Sequence, residues 1–258
     1  MCLILLGYHT HPRYRLILIA NRDEFYSRKT APLDFWEDHP DVLAGRDLEQ
    51  MGTWLGVSRS GRLAAITNYR GPEKSGINGS SRGYLVSRYL IDGGSPGDYL
   101  GHIAFHDSQY NGFNLIVGDM SGMQYHGNRA PGIIDLTAGW HGLSNHLLNT
   151  AWPKTQKGLV SLQNVCQKSG DIDTESVFDI LADDRPAPDD SLPDTGIGLE
   201  WERILSAIFI KSPHYGTRSS SIILIDHHGH VQFWERTHPI PGTSCSQPET
   251  RYIDFRIG

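Results

Sequence analysis

The sequence predicts an α+β domain, mostly antiparallel sheets with helices packed outside them. Two observations carry that class: about ten short apolar segments separated by turn residues, and only three stretches with helical character among them. No internal repeat and no linker-like composition divides the chain, so residues 1–258 are expected to form a single domain.

Taken in order, residues 3–6 and 16–19 are leucine- and isoleucine-rich runs joined by a Gly/His/Pro turn, which reads as a hairpin of buried strands. The first residues of the chain then lie inside a sheet. A second hairpin is expected at 53–58 and 63–68, closed by Arg59-Ser60-Gly61-Arg62. Between the two hairpins, residues 24–50 carry Pro32, Trp36, Pro40 and many charges, and read as a long loop. Helices are expected at 82–92, 154–168 and 174–182; in the second, Leu159, Leu162 and Cys166 fall at i, i+3 and i+7 on one apolar face. Strands return at 113–117, 124–126 and 139–144. A Pro- and Asp-rich surface loop over 183–198 precedes strands at 207–210, 219–225, 231–234 and 252–256.

Composition removes several function classes. Lys and Arg number 23 against 29 Asp and Glu, a net charge of -6, so the chain lacks the positive field that recruits nucleic acid or acidic lipid. The three cysteines, Cys2, Cys166 and Cys245, are odd in number and widely spaced, which makes no disulfide framework and points to a reducing compartment. No apolar run reaches the length of a membrane span, and the opening Leu3-Ile4-Leu5-Leu6 stops at Gly7 without a basic region before it. A cytoplasmic chain without a signal peptide and not membrane-spanning is expected.

Candidate chemistry begins at Cys2. Methionine aminopeptidase removes Met1 when residue 2 is small, which would leave a thiol beside its own α-amine, a base able to accept the thiol proton. Taken alone, Cys2 is equally a small residue starting a strand. Asn21-Arg22-Asp23-Glu24 follows the second strand directly, where a guanidinium and a carboxylate can position a nucleophile or clamp a substrate acid, or can simply close a turn. Asn68 and Asn145 each end a further expected strand, and amides at strand ends suit developing negative charge. Other patterns fail. His227-His228-Gly229-His230 falls in a hairpin turn, Gly71-Pro72-Glu73-Lys74-Ser75-Gly76 has Ile77-Asn78 where a phosphate loop needs Lys-Ser/Thr, and Cys166 belongs to an apolar helix face. No metal site and no catalytic metal is expected.

The pieces Met1-Cys2, Ala20-Asn21-Arg22-Asp23-Glu24-Phe25, Gly52-Thr53-Trp54-Leu55-Gly56, Thr67-Asn68-Tyr69-Arg70, Tyr110-Asn111-Gly112-Phe113-Asn114-Leu115, Gly142-Leu143-Ser144-Asn145 and Tyr215-Gly216-Thr217-Arg218-Ser219-Ser220 resemble, in order and over nearly the whole chain, the NRDE family. Its eukaryotic members are the transport and Golgi organisation proteins. The resemblance implies an N-terminal-nucleophile hydrolase fold of four layers, αββα. Within that fold it is similar to the choloylglycine hydrolase and penicillin V acylase group, which implies Cys2 as nucleophile, Asp23 holding the α-amine, Arg22 as its charge partner, Asn68 and Asn145 as oxyanion or amine-orienting groups, and Arg218 as a second cation. Those hydrolases carry Gly-Arg-Asn-x-Asp where this chain has Asn21-Arg22-Asp23-Glu24, a shift of one or two residues that matters to catalytic geometry.

The same resemblance implies haem trafficking or acyl-coenzyme A balance. A haem carrier needs an apolar slot, cations for the propionates and an exchangeable axial ligand. The expectation is therefore a small-molecule binding protein with haem as cargo, passing it to or from a haem-accepting or haem-donating protein. Its ligand-binding residues are expected among Asn21, Arg22, Glu24, Trp54, Tyr69, Arg70 and Arg218. The alternatives are a Cys2 hydrolase of amide or thioester bonds and a non-catalytic acyl-coenzyme A binder.

Overall fold

The computed structural model describes residues 2–71, 81–167, 170–243 and 247–258. The chain opens with the expected hairpin, β1 (Cys2–Tyr8) and β2 (Tyr14–Phe25), in the register Cys2↔Arg22 to Tyr8↔Leu16. It continues through β3 (Thr30–Phe35), β4 (Val42–Asp47), β5 (Leu55–Ser58) and β6 (Leu63–Asn68), then α1 (Gly83–Asp92) and α2 (Pro96–His106). After β7 (Phe113–Gly118), β8 (Met123–Gly127), β9 (Ile133–Asp135) and β10 (Gly139–Leu143) come α3 (Pro153–Cys166), α4 (Thr174–Leu181) and α5 (Leu199–Leu205). The last strands are β11 (Tyr215–Asp226), β12 (His230–Thr237) and β13 (Glu249–Arg256).

All pairings are antiparallel and make two sheets, one ordered β10-β1-β2-β11-β12-β13 and the other β3-β4-β5-β6-β7-β8-β9. The alternation of β1 and β2 decides the layering. Ile4, Leu6, Leu16 and Leu18 face the second sheet and fill the space between the two with Leu43, Val57, Ile116 and Tyr125. Leu3, Leu5, Ile17 and Ile19 face the other way, onto Leu162 and Cys166 of α3 and Val177, Phe178 and Leu181 of α4. Across the molecule, Leu85, Tyr89 and Leu90 of α1 and Leu100 of α2 cover the outer face of the second sheet. The layers are αββα.

Two expectations are corrected. Residues 24–50 are not a loop, because they hold β3 and β4: Leu33 and Leu43 are buried between the sheets, and the Trp36 indole N–H donates to Ala44 O at 3.1 Å. The proline and the charges hid a strand pair whose polar residues sit on an edge. Residues 207–210 are not a strand; they follow α5 as bends, with Ile208 and Ile210 buried and their backbone groups bonded to Asn21 and Thr217 rather than to a strand ladder. The expected helices at 82–92, 154–168 and 174–182 are α1, α3 and α4, with residue 168 outside the described residues. The His227–His230 stretch is the β11–β12 turn, with Gly229 at φ 76°. Residues 72–76 and Cys245 lie outside the described residues.

Candidate active site

One end of the sandwich gathers the start of β1, the end of β2, the β4–β5 and β6–β7 connections and the start of α1. They surround a cleft of about 330 Å³. Of the residues singled out from the sequence, Cys2, Arg22, Asp23, Glu24, Trp54 and Asn68 line it. Arg28, Asp47, Gln50, Thr53, Arg82 and Asn111 complete much of the wall. Thr53 and Asn111 lie inside motifs already visible in the sequence; Arg28, Asp47 and Gln50 were lost in the supposed loop.

Cys2 and Arg22 are cross-strand partners. Burial pushes the Cys2 thiol up, the Asp23 carboxylate pushes the same way, and the Asp23 backbone N–H donating to the sulfur and the Arg22 charge oppose it. Arg22 is held on three sides. It donates to Thr30 Oγ1 at 3.0 Å, its guanidinium lies 4.1 Å from the centroid of the Trp54 ring, and Glu235 of β12 feels its charge from behind. Glu235 is buried and accepts the Leu33 N–H at 2.7 Å. Gly45 permits the stack, since a Cβ there would lie 2.6 Å from the indole.

Asp23 contributes to the cleft wall while its carboxylate engages Thr217 of β11 and feels Lys154 of α3. Thr217 Oγ1 donates to its Oδ1 at 2.7 Å, and the Tyr215 hydroxyl donates to its carbonyl at 3.0 Å. Burial raises the Asp23 carboxyl, and the Lys154 ammonium of α3 is the largest charge opposing that rise. Thr217 lies inside a motif already visible in the sequence, whereas nothing in the sequence singled out Lys154, whose relation to Asp23 spans more than a hundred residues of chain.

The remaining candidates do other work. Asn21 is fully buried and donates to Leu181 O at 2.8 Å and Ile208 O at 2.9 Å. Asn145 donates to Asn68 O at 2.9 Å, while its own carbonyl accepts the Arg70 N–H at 2.6 Å, so it is the strut that holds the Asn68 strand end. Arg70 is buried against Glu202, Nη1 to Oε2 at 2.7 Å, with its guanidinium 4.7 Å from the Trp152 ring centroid. Arg218 sits at a bulge in β11 and donates to the carbonyls of Phe25, Tyr26 and Arg28. Tyr69 packs against His146 with ring centroids 5.1 Å apart and the planes tilted by 35°. None of these five is among the residues lining the cleft.

The model of the family described as Transport and Golgi organisation 2 matches residues 1–239. The chain belongs to that family. The human Transport and Golgi organization protein 2 homolog is 38% identical over 278 residues, covering 100% of this chain and 99% of the human protein. The Drosophila melanogaster Transport and Golgi organization protein 2 is 26% identical over 265 residues, covering 92% of each. The members' names give no specific activity. A C2A mutant of conjugated bile acid hydrolase from Clostridium perfringens superposes with a TM-score of 0.50 at 8% identity, over 98% of this chain and 92% of that one. This Transport and Golgi organisation 2 family member thus has the αββα fold of N-terminal-nucleophile hydrolases. Among the described residues, no group of three or more His, Cys, Asp or Glu is arranged to hold a metal ion, and no helix is long and apolar enough to cross a membrane.

Proposed function

We propose that this protein is an N-terminal cysteine hydrolase that cleaves an amide or thioester bond of a small acyl substrate, with Cys2 as nucleophile once Met1 has been removed. The observation that carries this reading is the seat of Cys2. Its thiol lines a polar cleft, receives the Asp23 backbone N–H, and stands beside Arg22 and opposite the strand end that carries Asn68. In the mature chain the α-amine of Cys2 takes the thiol proton, and the sulfur attacks the substrate carbonyl. As the S–C bond forms and the C–N or C–S bond breaks, the leaving group departs with that proton. Water then attacks the thioester, releases the carboxylic acid and restores the thiol. Asn68 and Arg22 are the donors on the wall for the developing oxyanion. The fold shared with a bile acid hydrolase supports the same reading.

Haem cargo and non-catalytic acyl-coenzyme A binding are the rivals. The cleft favours neither: Trp54 and Ile66 are the large apolar side chains among a mostly charged and amide lining, and no histidine is among the described residues that form it. The test is the intact mass of protein from its own host, followed by iodoacetamide labelling. Met1 should be absent, and Cys2 should be alkylated more than about tenfold faster than Cys166, whose thiol burial pushes up to about 11. Retention of Met1, or a saturable Soret change on haem titration that persists in Cys2→Ala, would overturn the hydrolase reading.

A further inference from the structure

On the helix side of the first sheet, four charged side chains share one buried region: Asp23 on β2, Lys154 on the first turn of α3, Arg70 after β6 and Glu202 on α5. Two of them pair directly, although Nε and Nη2 of Arg70 are buried without a hydrogen-bond partner. Arg70 and Glu202 close to 2.7 Å, and Glu202 also accepts from the backbone N–H and hydroxyl of Thr195 at 2.9 and 2.5 Å. Lys154 is different. It is 3% exposed, and its Nζ has no hydrogen-bond partner. A buried ammonium that served only as scaffold would be expected to close onto a carboxylate, as Arg70 does. Lys154 instead acts through space, attracted by Asp23, Cys2 and Glu202 and repelled by Arg70.

We propose that Lys154 is a positioning residue of the nucleophile: its ammonium keeps the Asp23 carboxylate ionised, and through Asp23 it sets the pH at which the Cys2 thiol gives up its proton. This rests on the hydrolase reading above. The geometry supplies the chain of effects. Asp23 reaches the thiol through its own backbone N–H, and Thr217 and Tyr215 of β11 fix the aspartate from the other side. The charged or titratable groups facing Lys154 are Asp23, Cys2, Arg70 and Glu202, and those facing Asp23 are Lys154, Arg70, Cys2, Tyr215 and Tyr26. Burial holds the Lys154 ammonium down to about 8. Below that pH the lysine is charged and Asp23 is compensated. Above it the aspartate has lost the largest of the charges that compensate it, and thiolate formation is opposed more strongly.

The experiment is the pH profile, from pH 6 to 10, of the iodoacetamide alkylation rate of Cys2, read by mass spectrometry in the folded mature protein with Cys166 as internal reference. Lys154→Met, similar in size and uncharged, should shift the profile upward by about one pH unit and slow alkylation at pH 7 about tenfold. Lys154→Arg, charged throughout, should keep the rate at pH 7 and lose the inflection near pH 8. A wild-type Cys2 no faster than Cys166 would sink the hydrolase reading itself. A fast wild-type Cys2 with a superimposable Lys154→Met profile, or with a uniform slowing at every pH, would overturn the role of Lys154 alone. Should thermal melting show Lys154→Met unfolded, the comparison of wild type with Lys154→Arg above pH 8 decides, identical profiles refuting the proposal.

Discussion

Asn21, the first letter of the motif, offers a sharp separation of structural from chemical roles. Its amide bridges three parts of the fold: it donates to Leu181 O at the end of α4 and to Ile208 O beyond α5, and it accepts from Ser220 Oγ of β11 at 2.7 Å. Replacing Asn21 by Ala removes all three. At about 1 kcal/mol net for each hydrogen bond, with a further increment for two buried carbonyls left without donors, the expected loss is about 3–4 kcal/mol. For a chain of this size that lowers Tm by roughly 6–15 °C. Asn21→Asp keeps the shape but turns an acceptor toward both carbonyls, so it should cost at least as much. The assay is equilibrium urea unfolding followed by tryptophan fluorescence, with Cys2 alkylation measured on the folded fraction. A cost below about 1 kcal/mol for both variants would refute the bridging account. Unchanged stability with weakened ligand binding would return Asn21 to the ligand contacts.

Gly216→Ala should destabilise by about 1–3 kcal/mol, because a Cβ there would meet the Tyr26 hydroxyl and lie 2.6 Å from Ile210 O; an unchanged urea midpoint would show that the Tyr215–Thr217 segment yields instead. His238, its Nε2 2.8 Å from Ser220 Oγ, is pushed down to about 4 by burial. The unfolded chain therefore binds a proton that the folded chain refuses between about pH 4 and 6.5, and stability rises with pH across that window. His238→Gln should flatten the rise in urea midpoints, and an unaltered slope would assign it to other groups.

The sequence displayed those features that local chemistry controls. The β1–β2 and β5–β6 hairpins follow from apolar runs and turn residues, and α3 follows from the spacing of Leu162 and Cys166. Elements whose burial comes from distant partners stayed hidden. β3 and β4 carry Pro32, Asp34 and Arg46, and become strands because Leu33 and Leu43 meet the opposite sheet. Helix α2 starts on a Ser95 cap with Pro96 in its first turn, and carries Gly97 and Gly101, weak helix formers whose cost is offset by packing of Leu100 and Ile103 on β7 and its neighbours. At the cleft the same division holds. Cys2, Arg22, Asp23 and Asn68 sit in recognisable strings. Lys154 and Glu235 are ordinary residues in ordinary contexts, and only the third dimension sets them around the motif.

The strand order of the first sheet has a consequence for the timing of synthesis. β1 and β2 lie at its centre, yet their outer neighbours, β10 and β11, are encoded far downstream, at 139–143 and 215–226. At ribosomal speeds of about 5–20 residues per second, the first hairpin waits roughly 10–40 s for β11 to emerge. During that interval the amino end of β1 has β2 as its partner and no cleft around it. β10 later covers the free edge of β1, and β11 covers that of β2. On the proposed reading of Cys2 as nucleophile, the order in which the sheet is filled places the removal of Met1 in the period before the cleft is built around the thiol.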